Sequence, residues 1–247
     1  MKVIKLFMLA LAIVFIYGCG STNTTDLSNP EDIFNAGVKY LEEEEFPEAK
    51  RMFELISMQY PASQFADDAQ FYQGELSFKK EEFILAAFNY NRLRKQYPSS
   101  IYVKDALYKT AMSYYRLSPT YDRDQEYTRK AIETMQEFQY LYPEDKLFQD
   151  ANEKIKELRN KLAYRELFTA GLYMKLDNPR SAIIYYDAVI NGFSDTDHYE
   201  EAFWGKIEAL VFMKKVKDAE SMAIAYKANF PESNKIKELD LLIDAIK

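Results

Sequence analysis

An aromatic residue followed by proline recurs in one register along this chain, as Tyr60-Pro61, Tyr97-Pro98, Tyr142-Pro143 and Phe230-Pro231. Twelve residues before each proline stands an alanine, Ala49, Ala86, Ala131 or Ala219, and twelve residues earlier again come Gly37 and Gly74 in the first two copies. A further copy keeps the register through Ala170, Tyr173, Ala182 and Tyr186, with Ser194 where proline is expected. Tyr40 and Phe53 in the first copy and Tyr90 in the second add aromatics at matching offsets. This spacing admits few folds. Proline lacks a backbone donor and clashes with the preceding turn, so each one ends a helix. Between the prolines, apolar residues recur at three and four spacing, predicting helices over Glu31–Glu45 (Phe34, Val38, Leu41) and Phe46–Gln59 (Phe46, Ala49, Phe53, Ile56). No segment shows sustained strand alternation. The small residues let two helices approach closely, and the aromatics fill the space between neighbouring pairs.

Small, small and proline at positions 8, 20 and 32 form the skeleton of the tetratricopeptide repeat, which this register resembles. The expected fold is all-α: a solenoid of five helical hairpins at about 31–61, 64–98, 101–143, 144–194 and 198–231, with a last helix at 232–246. The third repeat carries about eight extra residues, Ser118-Pro119-Thr120-Tyr121-Asp122-Arg123-Asp124-Gln125, and the fourth opens with a long helix, roughly Lys146 to Lys175. Each repeat hides its apolar face against a neighbour, so residues 31–247 are expected to form one unit.

Composition removes most enzyme classes. The chain has one Cys, one His and 7 Gly beside 20 Tyr and 17 Phe. One Cys excludes a disulfide framework and a Cys-cluster zinc site. One His removes paired-His metal centres, and scarce Gly counts against Rossmann and P-loop architectures. Gly-x-Ser-x-Gly, His-Glu-x-x-His and phosphate-loop motifs do not occur, so no catalytic residues, metal or cofactor are expected. A net charge of −7 gives no general attraction for nucleic acid.

The single Cys has a particular place. Lys2 and Lys5 precede an apolar run of twelve residues, Leu6 to Tyr17, too short for a bilayer span of about 20 residues but suited to a signal peptide. The run ends in Ile16-Tyr17-Gly18-Cys19, which resembles a bacterial lipobox, with Tyr17 departing from the preferred small or aliphatic residue. The resemblance implies cleavage of 1–18, S-diacylglyceryl modification and N-acylation of Cys19, and a flexible tether over 19–30. Gly20 in place of an Asp, and the lack of a dense acidic run after Cys19, point to the periplasmic face of an outer membrane.

A lipobox, a short tether and five repeats together resemble the BamD (YfiO-like) family of outer membrane protein assembly lipoproteins. Its third-repeat insertion corresponds to Asp122-Arg123-Asp124-Gln125, which leads into Arg129-Lys130-Ala131. Its long fourth-repeat helix corresponds to Lys161-Leu162-Ala163-Tyr164-Arg165-Glu166, followed by Ala170, Tyr173 and Tyr185-Tyr186. The resemblance implies a non-catalytic scaffold of the β-barrel assembly machinery. Its C-terminal half would dock on periplasmic domains of the barrel-forming BamA-type subunit, beside other assembly lipoproteins. Its N-terminal repeats would receive the aromatic C-terminal strand of unfolded outer membrane proteins. Tyr185 or its neighbour stands where enterobacterial members carry an Arg that reaches the barrel subunit, so the docking surface is expected to be built differently. The alternative is another tetratricopeptide-repeat envelope lipoprotein coordinating cell-wall or transport complexes; glycan-capturing lipoproteins with embedded repeats are about twice as long.

Counting repeat positions gives a peptide groove lined by Phe34, Val38, Leu41, Phe71, Glu75, Phe78, Lys79, Tyr108, Met112, Tyr115 and Arg116. The aromatics would stack on an extended peptide ending in Phe, and Lys79 and Arg116 would read its terminal carboxylate. Inter-repeat core is the competing reading for each aromatic. Glu42-Glu43-Glu44-Glu45 reads as a solvated helix end, not a cation site. Asp122, Asp124 and Glu126 lack the Gly and closing Glu of a calcium loop. His198 is expected to cap or lie on the surface, and Trp204 to pack.

Overall fold

The computed structural model describes residues 28–246, and among these the regular structure is entirely helical. The helices are α1 (Pro30–Glu42), α2 (Phe46–Gln59), α3 (Ala66–Lys79), α4 (Phe83–Gln96), α5 (Val103–Leu117), α6 (Glu126–Leu141), α7 (Phe148–Lys175), α8 (Pro179–Gly192), α9 (Tyr199–Phe212), α10 (Val216–Asn229) and α11 (Ile236–Asp244). None of them is long and apolar enough to cross a membrane. The described residues divide into two compact units, one ending at Tyr72 and the other beginning at Gln73. Cys19 and the tether up to residue 27 lie outside the described residues.

Two turns recur and explain the register. The first joins the two helices of a hairpin. Glu44, Glu81, Asp177 and Lys214 each take a left-handed backbone, with φ of 61°, 59°, 53° and 56°. After each, an amide bonds back five residues: Glu45 to the Tyr40 carbonyl, Glu82 to Ser77, Asn178 to Tyr173 and Lys215 to Leu210, all at 2.8–3.0 Å. This is the helix C-cap in which glycine is usual, here built without it. The first helix therefore stops at Glu42 and not at Glu45 as expected. Pro30 at the first turn of α1 and the Asn29 side chain, which accepts from the Glu31 amide at 3.0 Å, set its start.

The second turn joins one hairpin to the next. Tyr60, Tyr97, Tyr142, Phe193 and Phe230 each donate their amide to the carbonyl four residues back, at 2.8–2.9 Å. Three residues on, the amides of Ser63, Ser100, Asp145, Thr196 and Ser233 bond back to the carbonyls of those same aromatics. Side chains of Ser100, Asp145 and Ser233 then accept from the amides of Tyr102, Leu147 and Lys235, tying the start of the following helix. Ser194 occupies the proline position with the turn unchanged, because the aromatic and Thr196 carry it. The last helix is shorter than expected, beginning at Ile236 after this turn.

The small residues do what the spacing demanded. A Cβ on Gly37 would lie 2.7 Å from the Phe53 ring, and one on Gly74 would lie 2.4 Å from Tyr90. Gly205 plays the same part under Tyr186, at 2.4 Å. In the second unit one cluster gathers Leu107, Met135, Phe138 and Leu158; another gathers Ala163, Leu167, Ala170, Tyr186 and Val189; a third gathers Phe203, Ile207, Tyr226 and Leu239. The connection between α5 and α6 is the exception to the hairpin turn. Residues 118–125 replace it, held by Gln125, which is fully buried. Its Nε2 donates to the carbonyls of Thr120 and Arg123 at 2.8 and 3.0 Å, and its Oε1 accepts from Thr128 at 2.7 Å.

Candidate functional site

In the second unit the first helices of successive repeats, α3, α5 and α7, bring charged and aromatic side chains together. Glu75 on α3 accepts from the Tyr90 hydroxyl at 2.6 Å and pairs with Lys109 on α5 at 3.0 Å. Lys109 also sits 5.3 Å from the centre of the Phe78 ring. Burial, aided by the Glu75 charge and hydrogen bond, holds the Tyr90 hydroxyl neutral far above the usual tyrosine range. Arg116, near the end of α5, pairs with Glu81 at 3.1 Å and lies 4.6 Å over Phe83, which packs edge-on to Phe78 at 5.2 Å.

The pattern continues one repeat later. Tyr108 donates to Asp150, which also pairs with Lys154 at 2.6 Å. Tyr115 donates to Glu157 at 2.7 Å and carries Lys154 at 5.6 Å from its ring centre. That hydrogen bond, with some burial, pushes the Tyr115 hydroxyl up to about 12. For Asp150, burial raises the pKa, but hydrogen bonds from Lys154 and Tyr108 outweigh it and the net shift is downward. These rows alternate acid, base and ring. Ion pairs and hydrogen bonds already compensate them, and they offer ring faces and exchangeable hydrogen bonds to an extended chain.

The predicted groove residues divide between this face and the core. Phe78, Tyr108 and Tyr115 are half-buried and Lys79 and Arg116 exposed. Met112 packs against the cluster around Leu107. Leu41 and Phe71 are buried core residues, 6% and 8% exposed, and do not line an open surface. Phe34 packs among rings of the first unit, stacked on Phe65 at 5.6 Å and edge-on to Tyr72 at 5.2 Å, and Val38 is half-buried beside it in sequence. Arg116, expected to read a peptide carboxylate, is paired with Glu81 in the structure.

His198 stands at the N-cap of α9 without a side-chain capping bond; its ring meets Tyr164 at 5.5 Å and its Nδ1 lies 3.6 Å from Glu201. Trp204 packs on Tyr226 at 6.1 Å under Lys235. Tyr185 stacks on Tyr173 at 5.4 Å. Among the described residues no group of three or more His, Cys, Asp or Glu is placed to hold a metal ion.

Two features escaped the sequence reading. One is an apolar cleft of about 610 Å³ where Phe83, Ile84, Leu85 and Phe88 of α4 meet Leu117. Four large apolar residues within the unbroken apolar run Phe83-Ile84-Leu85-Ala86-Ala87-Phe88 exceed what one buried helix face uses, and that was its signal. The other is the clamp of Arg159, whose Nε and Nη2 hold Asp195 at 2.7 and 2.6 Å while Nη2 also reaches the Gly192 carbonyl. A lone Arg and Asp 36 residues apart gave no sequence signal.

Comparison with known proteins places the chain. The family model described as YfiO, outer membrane lipoprotein, matches residues 27–223. The outer membrane protein assembly factor BamD of Rickettsia prowazekii is 26% identical over 236 residues, covering 94% of this chain and 94% of that protein. The protein of the same name from Caulobacter vibrioides is 24% identical over 201 residues, covering 81% of this chain and 66% of that one. Among solved structures, the TPR2AB domain of yeast Sti1 in a pHSP90 complex matches with a TM-score of 0.42 at 14% identity, covering 88% of this chain and 98% of that one. The chain belongs to the YfiO family of outer membrane lipoproteins.

Proposed function

We propose that this chain is a lipid-anchored scaffold on the periplasmic face of the outer membrane, where it helps the β-barrel assembly machinery to recognise and insert outer membrane proteins. The observation that carries this reading is the alignment with an assembly factor over 94% of both chains, within a family match that spans residues 27–223. The chemistry of the second unit supports it. On the face of α3, α5 and the start of α7 the charged groups named above are engaged in pairs and the rings are partly exposed, which suits binding without catalysis. Cys19 is the attachment point in this reading, with S-diacylglyceryl and N-acyl chains that each contribute about 0.8 kcal/mol per buried CH2. The barrel-forming subunit, through its periplasmic domains, and other assembly lipoproteins are the proposed protein partners.

For the unfolded substrate, the face built by Phe78, Tyr108 and Tyr115 is the proposed contact, with Lys79 and Arg116 at its exposed edge. A terminal carboxylate would exchange with Glu81 on Arg116 instead of meeting an empty cation.

Affinity purification of the acylated protein from native membranes tests the reading. Recovery of a barrel protein with tandem periplasmic domains is the expected result; recovery of a cell-wall synthase or a glycan transporter in its place overturns it. Labelled palmitate incorporation that disappears in Cys19→Ala is expected of the anchor.

A further inference from the structure

The C-terminal part of α7 does not follow the pairing seen along its beginning. Tyr164, Phe168, Leu172 and Leu176 follow at four-residue steps and so share one face. They are 40%, 50%, 48% and 64% exposed. Lys161, Arg165 and Lys175 fall on the same face at three- and four-residue spacing from them. None of the three forms an ion pair among the described residues. From Leu158 to Lys175 the only acidic residue is Glu166, which the helical period puts on the other side. In a chain of net charge −7, this face of α7 carries apolar residues and cations, with one carboxylate, Glu201 of α9, at its rim.

Gly171 lies in the middle of that strip. Gly37, Gly74 and Gly205 are each required by an aromatic ring that leaves no space for a Cβ, whereas a Cβ on Gly171 would meet nothing within 4 Å. Glycine inside a helix costs about 1 kcal/mol relative to alanine. Nothing in this chain's own packing calls for that cost at Gly171. It opens instead onto a cleft of about 220 Å³ whose floor is Leu167 and whose walls are Tyr164, Phe168 and Leu172. The carboxylate at the rim, Glu201, lies 3.6 Å from His198.

The inserted loop completes the strip and is fixed there. Tyr121 meets Tyr164 edge-on at 4.7 Å and Phe168 at 5.2 Å. A relay of hydrogen bonds holds the loop: Lys161 donates to Ser118 at 2.8 Å, Ser118 donates to Thr128 at 2.6 Å, and Thr128 donates to Gln125. Burial lowers the Lys161 pKa, partly offset by the charge of Glu157.

We propose that this strip is a docking surface for a carboxylate-bearing, apolar segment of a partner protein, whose backbone lies against Gly171 and whose acidic side chains meet Arg165 and Lys175. The cations select an acidic occupant, and the missing Cβ admits main chain at close range, which a lipid headgroup does not need. The surface is separate from the aromatic face of α3, α5 and the start of α7, and either assignment stands if the other fails.

The test is in-cell photocrosslinking of the full acylated protein carrying benzoylphenylalanine in place of Leu172, with a control at Ile84. The expected result is a crosslink to one defined protein segment that contains Asp or Glu among apolar residues. Gly171→Leu and Lys175→Glu should each reduce it at least tenfold, with Tm unchanged or raised for Gly171→Leu, and the Ile84 probe should not reproduce it. Crosslinks only to phospholipid, to a second copy of this chain or to nothing overturn the proposal, as does a crosslink that persists in both variants.

Discussion

The two parts of α7 obey different rules although they share one uninterrupted helix. Over its first three turns, Asp150 and Glu157 are engaged by Tyr108, Lys154 and Tyr115, so polar groups on that face are satisfied within the chain. Beyond Leu158 the exposed face carries rings, aliphatics and cations without carboxylates. The opposite face is ordinary core throughout, with Ile155, Leu158, Ala163, Leu167 and Ala170 all buried. A helix needs only one apolar face to be held in place. A second apolar face with uncompensated charge therefore reports on something outside the fold.

That contrast is open to attack by substitution. The largest effect is expected where the two parts meet. Leu158→Ala, at a fully buried position among Leu107, Met135 and Phe138, should cost about 2–5 kcal/mol in urea unfolding. Phe168→Ala, ten residues on and half exposed, should cost less than about 1 kcal/mol. Equal losses would erase the distinction between core and unpartnered faces.

A glycine pair sharpens the same point. Gly74→Ala forces a Cβ into the Tyr90 ring and should destabilise by about 1–3 kcal/mol. Gly171→Ala meets nothing and should gain up to about 1 kcal/mol. A loss at Gly171 would mean that the chain itself uses the gap.

The acid limb of stability comes next. The Arg159 hydrogen bond, outweighing some burial, holds the Asp195 carboxyl below its ordinary value near 3.8. A depressed carboxylate contributes stability above the unfolded pKa and loses it as pH falls through the folded one. Thermal unfolding between neutral pH and pH 3 should therefore show Asp195→Asn with a flatter acid decline than the parent chain. An identical decline would remove the clamp from the account. The smallest effect is expected for Tyr115→Phe, which gives up the bond to Glu157 on an exposed rim and should cost no more than about 1 kcal/mol.

Much of the fold is legible in the sequence because the repeat writes its geometry in residue size. Gly37 and Gly74 could be read as close contacts because only small residues fit beneath Phe53 and Tyr90. The prolines marked helix ends, and Ser118–Gln125 stood out as an insertion because it broke the period. The hairpin turns were harder to read. Glu44, Glu81, Asp177 and Lys214 adopt a conformation that normally announces itself through glycine, so α1 was drawn too long. The groove was legible only in part. Repeat position says which side of a helix a residue occupies, but not whether a neighbouring ring covers it. Leu41 and Phe71 are covered, whereas Tyr108 and Tyr115 turn their hydroxyls to carboxylates on α7. Ion pairs such as Arg116 with Glu81 join residues 35 apart and depend on how helices stack, which no local pattern encodes.

The scaffold reading is tested most directly by depleting this chain in its own cells and following newly made outer membrane β-barrels by their heat-modifiable mobility. The account predicts that barrels accumulate unfolded as the chain disappears, and that restoring the parent protein, but not Cys19→Ala, returns them to the folded form. Barrels that fold and insert at an undiminished rate after depletion would contradict it.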